Sequence, residues 1–190
     1  MHEHTPQARA PAQPPGIRLI CLASKRQQLI QYRTWSRALS DPIELVAVDI
    51  SATAHADGPY APQSLPMLAR TLASRLQPFL AHPHALFAQD EAAHLALALA
   101  YLAQRSNPGQ TRRLFVSSCD SPEATEGGQT EHLQVPVTAF YPPDTLAAML
   151  GWQRLAHREL ELVELPAQSW PGDQRLINIL NAHLGLLCFA

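Results

Sequence analysis

Residues 84–105 read HALFAQDEAAHLALALAYLAQR, a short apolar run followed by a polar turn and a long alanine- and leucine-rich segment. The apolar run is typical of a buried strand, and no helix breaker interrupts the segment after it. We therefore expect a strand, a tight turn at Gln89 and Asp90, and a helix that begins at about Glu91. This helix is apolar on nearly all sides, which predicts that it is buried against a sheet and other helices.

The rest of the chain repeats this alternation. Apolar, β-rich segments predict six strands, at residues 17–23, 43–50, 84–88, 112–118, 133–141 and 158–165. Segments with helical spacing lie between and after them, at residues 29–40, 65–80, 91–105, 144–156 and 172–187. Strands that alternate with helices predict an α/β domain with a mainly parallel six-stranded sheet and helices on both faces. We expect residues 17–190 to form this single domain, with any site at the carboxyl ends of the strands.

The charge and composition of the chain argue against some classes of binding partner. The net charge of −2 argues against a nucleic acid or an anionic membrane surface as the partner, and no segment is apolar enough to span a membrane. Residues 1–16 are rich in Pro, Ala and Gln and lack the apolar centre of a signal peptide, which predicts a disordered tail. We expect a soluble, cytoplasmic protein, and its oligomeric state is open.

The cysteines and histidines are not spaced in the sequence as metal ligands usually are, and we expect neither a metal nor a cofactor. The three cysteines lie far apart, and Cys21 and Cys188 fall in apolar runs, which predicts buried thiols in a reducing compartment. His82 and His84 alternate at the start of the third strand. We interpret them as a hydrogen-bonded pair rather than a metal site.

The order of these segments resembles the type II thioesterases of nonribosomal peptide and polyketide assembly lines, which are α/β-hydrolases. The similarity extends from about Ile17 to Leu187. The segments RLICL and YRTWSRAL resemble the first strand and helix of the family. The segments ALFAQDEAAHLALALAYLAQR and RRLFVSS resemble the nucleophile strand, its turn, the helix after it and the next strand. The segment VPVTAFYPPDTLAAMLGWQ resembles the strand and loop that supply the catalytic acid.

The catalytic residues that this resemblance implies are largely missing. The family's nucleophile turn reads Gly-His-Ser-Met-Gly, whereas residues 88–92 read AQDEA and place Asp90 where the serine is expected. The family's oxyanion loop reads His-Ala-Gly-Gly, whereas residues 24–27 read SKRQ and begin with Ser24. Glycines let backbone N–H groups approach a developing oxyanion, and the longer side chains here would crowd that space.

The other parts of the family's machinery also depart from the pattern. Ser169 lies at or near the position of the catalytic histidine, after the sixth strand. Asp144 matches the catalytic acid, in a shortened loop that contains Pro142 and Pro143. The lid that the family inserts after the fourth strand is largely missing, since only the polar loop 119–132 remains there.

Asp90 has two interpretations. As a carboxylate nucleophile it would form an ester that an activated water must hydrolyse, and no sequence signal places a histidine beside it. As an N-cap it would accept a hydrogen bond from the first turn of the helix, which is the interpretation that we favour. Ser24, Ser117 and Ser169 are alternative nucleophiles with no evident base.

Three functions follow from this sequence. The first is a thioesterase-like protein without the Ser-His machinery, acting as a non-catalytic accessory factor that binds a carrier protein or a synthetase subunit. The second is an active hydrolase or acyltransferase on carrier-bound thioesters that uses Asp90. The third is a small-ligand binding protein, which requires a well-formed apolar cavity at the strand ends. The basic pair Lys25 and Arg26 is a weak indication of an anionic partner, such as a phosphopantetheine phosphate or an acidic carrier protein.

Overall fold

The computed structural model describes residues 16–51, 65–121, 133–166 and 174–188. The strands are β1 (Ile17–Ala23), β2 (Ile43–Asp49), β3 (His84–Gln89), β4 (Thr111–Ser117), β5 (Val137–Tyr141) and β6 (Leu160–Glu164). The helices are α1 (Arg26–Trp35), α2 (Leu65–Leu80), α3 (Ala92–Ser106), α4 (Leu146–Met149), a 3₁₀ helix (Leu150–Arg154) and α5 (Gln174–Leu187). The expectations for the tail, apart from Gly16, and for most of the loop 119–132 fall outside the described residues.

The strands form one sheet in the order β2-β1-β3-β4-β5-β6, and every neighbouring pair is parallel. The predicted six-stranded sheet is therefore confirmed. From β1 the chain first adds β2 on one side and then β3 on the other, so the strand order reverses between β1 and β3. In open parallel sheets a crevice forms outside the carboxyl ends of the strands at such a reversal.

Helices cover both faces of the sheet, as predicted. Side chains alternate along each strand, so Ile20 and Leu22 of β1 pack with α2 and α3, whereas Leu19 and Cys21 pack with α1 and α5 on the opposite face. In α3 the alanines that face the sheet and α2 are fully buried, and their small side chains allow close packing. None of the helices in the described ranges is long and apolar enough to cross a membrane.

An aromatic cluster fixes α1 to the centre of the sheet. The ring centroids of Tyr32 and Trp35 lie 5.9 and 5.1 Å from the ring centroid of Phe87 on β3, both in edge-on contact. The Tyr32 hydroxyl donates a hydrogen bond to the Leu22 carbonyl at 3.2 Å. Both aromatic side chains of α1 are buried, so the start of α1 has a defined position beside the ends of β1 and β3.

Among the boundaries that differ from the sequence-based prediction, those of the fifth strand and of the helix after it have local causes. The predicted strand 133–141 begins only at Val137, because Pro136 has no N–H to donate. The Pro136 carbonyl still accepts a hydrogen bond from the Leu114 N–H at 3.0 Å. The predicted helix 144–156 is divided into the short α4 and the 3₁₀ helix, which contains Gly151, a residue of low helix propensity.

Candidate functional site

The turn between β3 and α3 has the geometry of a nucleophile elbow. Asp90 adopts a left-handed backbone conformation with φ of 53°, between the end of the strand and the start of the helix. Its N–H donates to the Ser117 carbonyl at 2.9 Å, and its own carbonyl accepts from the Ala93 N–H at 3.0 Å. Aspartate tolerates this conformation better than most residues do, so the sharp turn forms without glycine.

The Asp90 side chain does not cap α3, and our interpretation of this residue as an N-cap is wrong. The helix begins at Ala92, one residue later than expected, and Glu91 occupies the N-cap position without a side-chain capping bond. The Asp90 Oδ2 instead lies 3.2 Å from the Lys25 Nζ and 3.4 Å from the Gln28 Nε2. The carboxylate therefore faces α1 across the crevice rather than the first turn of its own helix.

The Gln28 side chain folds back onto the loop after β1, the segment that the family resemblance matches to the oxyanion loop. Its Oε1 accepts hydrogen bonds from the Ser24 N–H at 2.8 Å and the Lys25 N–H at 3.2 Å. The Ser24 hydroxyl also donates to the same oxygen at 3.2 Å. Gln28 is the third residue of α1, so this contact is the glutamine half of a capping box, which satisfies backbone donors at a helix start. The side chain is 6% exposed.

Two further glutamines, Gln31 and Gln89, lie buried at the base of the crevice. The Gln89 Nε2 donates to the Gln31 Oε1 at 3.2 Å, and both residues are buried. The buried Gln31 Nε2 has no hydrogen-bond partner within the described residues. An unpaired buried donor costs about 1–3 kcal/mol, so the base of the crevice is not optimised for stability alone.

These side chains line an open cleft of about 380 Å³ at the carboxyl ends of β1, β3 and β4. The cleft is lined by Lys25, Gln27, Gln28, Gln31, Gln89, Asp90 and Ser118. Every lining residue is polar or charged, which is not the apolar cavity that the small-ligand hypothesis requires. The cleft lies at the reversal of strand order, where an α/β sheet is expected to bind its ligands.

The side chains of His94 and His183 contact groups other than Asp90. The His94 Nε2 lies 3.0 Å from the Asp120 carbonyl oxygen and 3.3 Å from the Cys119 Sγ. The His183 Nε2 contacts the Glu161 carboxylate at 2.8 Å, on the α5 side of the sheet. Neither histidine is therefore placed as the base that would activate water against an acyl group on Asp90.

The remaining predicted site residues are not all brought together. Ser24 precedes the cleft residue Lys25 and bonds Gln28, and Ser117 is 1% exposed, so its hydroxyl is inaccessible to a substrate. Asp144 follows β5 with φ of 67°, is exposed, and does not line the cleft. Ser169 lies outside the described residues. Ser118, which the sequence analysis missed, is exposed in the cleft with φ of 51°, and no sequence pattern distinguishes it.

The Cys119 thiol, which lies just beyond β4, is not activated as a nucleophile. Burial, followed by the carboxylates of Asp120, Asp90 and Glu91, raises the pKa of Cys119 to about 12. The thiol is therefore neutral at physiological pH despite its contact with His94, and the neutral form is a poor nucleophile. Burial also raises the pKa of Cys21, which is buried as predicted, whereas Cys188 is only partly buried.

The contact between the two histidines joins the buried His84 ring to the His82 backbone carbonyl and does not involve the exposed His82 ring. The buried His84 has its Nδ1 2.8 Å from the His82 carbonyl oxygen and its Nε2 2.9 Å from the Thr111 Oγ1. Burial lowers the pKa of His84, so the ring is held neutral. Within the described ranges, no group of three or more His, Cys, Asp or Glu side chains is arranged to hold a metal ion.

No family model matches the sequence, and no curated protein matches it. The fold, in contrast, is similar to solved structures of thioesterases. The thioesterase RedJ from the prodiginine biosynthetic pathway in Streptomyces coelicolor is 19% identical, with a TM-score of 0.71 over 93% of this chain and 91% of that chain. A RedJ structure with a PEG molecule bound in the active site is 22% identical, with a TM-score of 0.72 over 92% of this chain and 94% of that chain.

A further similar structure is the type II thioesterase BorB from the borrelidin biosynthetic cluster. It is 18% identical, with a TM-score of 0.73 over 92% of this chain and 95% of that chain. Identities this low show likeness of fold and do not by themselves show shared chemistry. The fold that the sequence resemblance implied is confirmed. The chain has the α/β-hydrolase fold of the type II thioesterases.

Proposed function

We propose that this protein is a non-catalytic, thioesterase-like accessory factor of nonribosomal peptide or polyketide biosynthesis. It binds an acyl or peptidyl carrier protein, or a synthetase subunit, in the cytoplasm. RedJ is a thioesterase of the prodiginine biosynthetic pathway, and the similar structure YbtT is a type II thioesterase from the yersiniabactin NRPS/PKS biosynthetic pathway, which supports this setting. The observation that carries the proposal is the Gln28 amide, which bonds the Ser24 N–H and faces the Asp90 carboxylate.

Two features of the cleft oppose acyl transfer. A substrate carbonyl can reach the Ser24 and Lys25 N–H groups only by displacing the Gln28 Oε1, which they already bond. Loss of a single oxyanion donor costs a hydrolase about 3 kcal/mol of transition-state stabilisation. Asp90 is ion-paired with Lys25, and neither His94 nor His183 contacts it, so neither histidine is placed to activate water for the second step.

The first experiment measures thioester hydrolysis by the purified protein, with acyl-pantetheine and acyl-carrier-protein substrates and the Asp90→Ala variant as control. We expect the same background rate for both proteins. In parallel, calorimetric titration with apo, holo and acylated carrier domains measures binding, which we expect in the micromolar range typical of transient complexes. Turnover that disappears in Asp90→Ala, or no binding to any carrier domain or synthetase subunit, would contradict the proposal.

The second candidate function is an acyltransferase or hydrolase that uses Asp90. It is favoured by the φ of 53° and by the 42% exposure of the Asp90 side chain, which are properties of a nucleophile at an elbow. In this reaction the carboxylate attacks the thioester carbonyl, the thiolate leaves, and a mixed anhydride forms on Asp90. Mass spectrometry of the Asp90 peptide after an acid quench tests for this adduct, with Asp90→Asn as the control.

A further inference from the structure

The exposed face of α1 carries a basic stripe that neither the fold nor the cleft requires. Arg26, Ile30 and Arg33 follow one another at intervals of four and three residues, which places them on one side of the helix. Arg37 continues the same side in the turn after the helix. All four residues are exposed, and Ile30 in the middle of them is 57% exposed. We call Arg26, Ile30, Arg33 and Arg37 the α1 stripe.

The charge of this segment is opposite to that of the whole chain. Residues 24–40 contain four cationic side chains and no Asp or Glu, although the chain has a net charge of −2. Of these cations, Lys25 pairs with Asp90, whereas Arg26, Arg33 and Arg37 form no ion pair with any described residue. Arginines without a carboxylate partner, around an exposed aliphatic side chain, are available to bind a complementary surface.

The position of the α1 stripe links it to the cleft. Lys25 and Gln27, at the start of α1, line the cleft, and Arg26 lies between them in sequence. The helix has ten residues and is about 15 Å long, so the Arg26 end of the stripe lies next to the cleft and Arg33 lies toward the far end of the helix. Tyr32 and Trp35 fix the opposite face of α1 in the core, which gives the stripe a rigid support.

We infer that the α1 stripe is a docking surface for an acidic protein partner. The complementary surface is a helix whose carboxylates bond Arg26, Arg33 and Arg37 on either side of an apolar side chain that covers Ile30. This inference rests on the proposed function when it identifies the partner as the carrier protein. The partner's helix would then lie beside the cleft, which allows a group tethered to the carrier to enter between Lys25 and Asp90.

The chemistry of the stripe favours a protein partner over other polyanions. One isoleucine gives too little apolar surface for stable insertion into a lipid headgroup region. Three arginines neutralise few phosphates, whereas nucleic-acid binding surfaces usually make many such contacts. The combination of paired charges with a central apolar contact is the composition of a protein interface.

The test is a titration with two separate probes. One probe is a holo carrier protein domain, and the other is a synthetic helical peptide with Glu at helical intervals around a central Leu. The variants are Arg33→Glu and Ile30→Ser, and the matched control is Arg105→Glu, which reverses an exposed arginine in the last turn of α3 as Arg33 lies in the last turn of α1. Circular dichroism confirms that each variant is folded.

We expect Arg33→Glu to weaken binding of both probes about tenfold at low salt, Ile30→Ser about threefold, and Arg105→Glu less than twofold. Binding should also weaken when NaCl is raised from low to high concentration. Peptide binding that is lost in Arg33→Glu, without any carrier binding, supports the docking surface and contradicts the proposed function. If the carrier protein binds and Arg33→Glu leaves that binding unchanged, the result supports the proposed function and contradicts the docking surface.

Two further outcomes overturn the docking surface directly. If neither probe binds the wild-type protein, the stripe does not recognise an acidic helix. If a 20-base-pair DNA duplex or phosphatidylglycerol vesicles bind more tightly than the peptide and lose that binding in Arg33→Glu, the stripe recognises phosphates rather than a protein.

Discussion

The Oδ2 of Asp90 lies 3.2 Å from the Nζ of Lys25, which joins the elbow after β3 to the loop after β1. In a hydrolase these two segments supply the nucleophile and part of the oxyanion hole and stay apart to admit the substrate. Here an ion pair connects them. Because the Lys25 side chain is 68% exposed, the pair contributes little to stability, and its main effect is to occupy the entrance of the cleft.

The left-handed conformation of Asp90 predicts an unusual order of stability among its variants. Asp90→Gly and Asp90→Ala both remove the carboxylate, so the difference between them reports the backbone alone. We expect Asp90→Gly to be more stable than Asp90→Ala by about 1 kcal/mol, since glycine adopts positive φ without a steric cost. Urea unfolding followed by circular dichroism measures this difference. Equal stability of the two variants would show that Asp90 has an ordinary conformation in solution.

The bounds of several elements were predictable because strong local patterns set them. β1 and α2 have the predicted bounds, Ile17–Ala23 and Leu65–Leu80, since β1 is a nearly continuous apolar run and α2 has a regular amphipathic helical pattern. α1 was placed too late in the chain, because its apolar spacing continues into residues that form the turn after Trp35. Its true start depends on Gln28, whose spacing from Lys25 fits a capping box and was overlooked.

The site was less predictable than the fold, because its decisive contacts are long-range. The Gln28 amide contacts Asp90, 62 residues away, and Gln31 contacts Gln89, 58 residues away. No local pattern encodes these distances in space. The sequence alone places Asp90 at the turn after the third strand, whereas the contact of Gln28 with Asp90 depends on the tertiary arrangement of α1 and the elbow.

Gln28 should contribute measurably to stability through the two backbone donors that it satisfies. In Gln28→Leu the Ser24 and Lys25 N–H groups lose their acceptor, and we expect the free energy of unfolding to fall by about 2 kcal/mol. Gln27→Leu is the matched control, because the neighbouring Gln27 is exposed, and it should change stability by less than about 0.5 kcal/mol. Similar effects of the two substitutions in urea unfolding would exclude a special role for Gln28.

The neutral His84 predicts a loss of stability on mild acidification. Burial lowers the pKa of His84 in the folded protein, so below the ordinary histidine value of about 6.5 the unfolded chain binds a proton that the folded protein resists. Stability is therefore greater above that pH and falls as the pH drops toward the folded pKa, by at most about 1.4 kcal/mol per pH unit.

The His84→Gln variant isolates this effect. Its unfolding free energy should change less between pH 7 and pH 5 than that of the wild-type protein, whatever its absolute stability. His82→Gln, which removes an exposed ring, should keep the wild-type dependence. If the wild-type and His84→Gln curves run parallel over this range, proton uptake at His84 does not control the acid sensitivity.

The Cys119 thiol provides a test for a cysteine nucleophile near the elbow. Its pKa of about 12 lies roughly four units above pH 8, so about one molecule in ten thousand carries the thiolate there. We expect iodoacetamide at pH 8 to modify the partly buried Cys188 first and to leave Cys119 and Cys21 unmodified in the folded protein. Peptide mass spectrometry assigns the modified positions, and all three cysteines should react in urea.

The His94→Ala variant determines whether the 3.3 Å contact between His94 and Cys119 has chemical consequences. An imidazole that accepted the thiol proton would generate a thiolate–imidazolium pair and accelerate alkylation of Cys119 at neutral pH. Because burial and, after it, the Asp120, Asp90 and Glu91 carboxylates raise the pKa of the Cys119 thiol, we expect no such pair. The alkylation rate of Cys119 should then be equally slow in the wild-type protein and in His94→Ala. Fast modification that His94→Ala abolishes would instead identify a cysteine–histidine dyad beside the elbow and restore a catalytic role to the site.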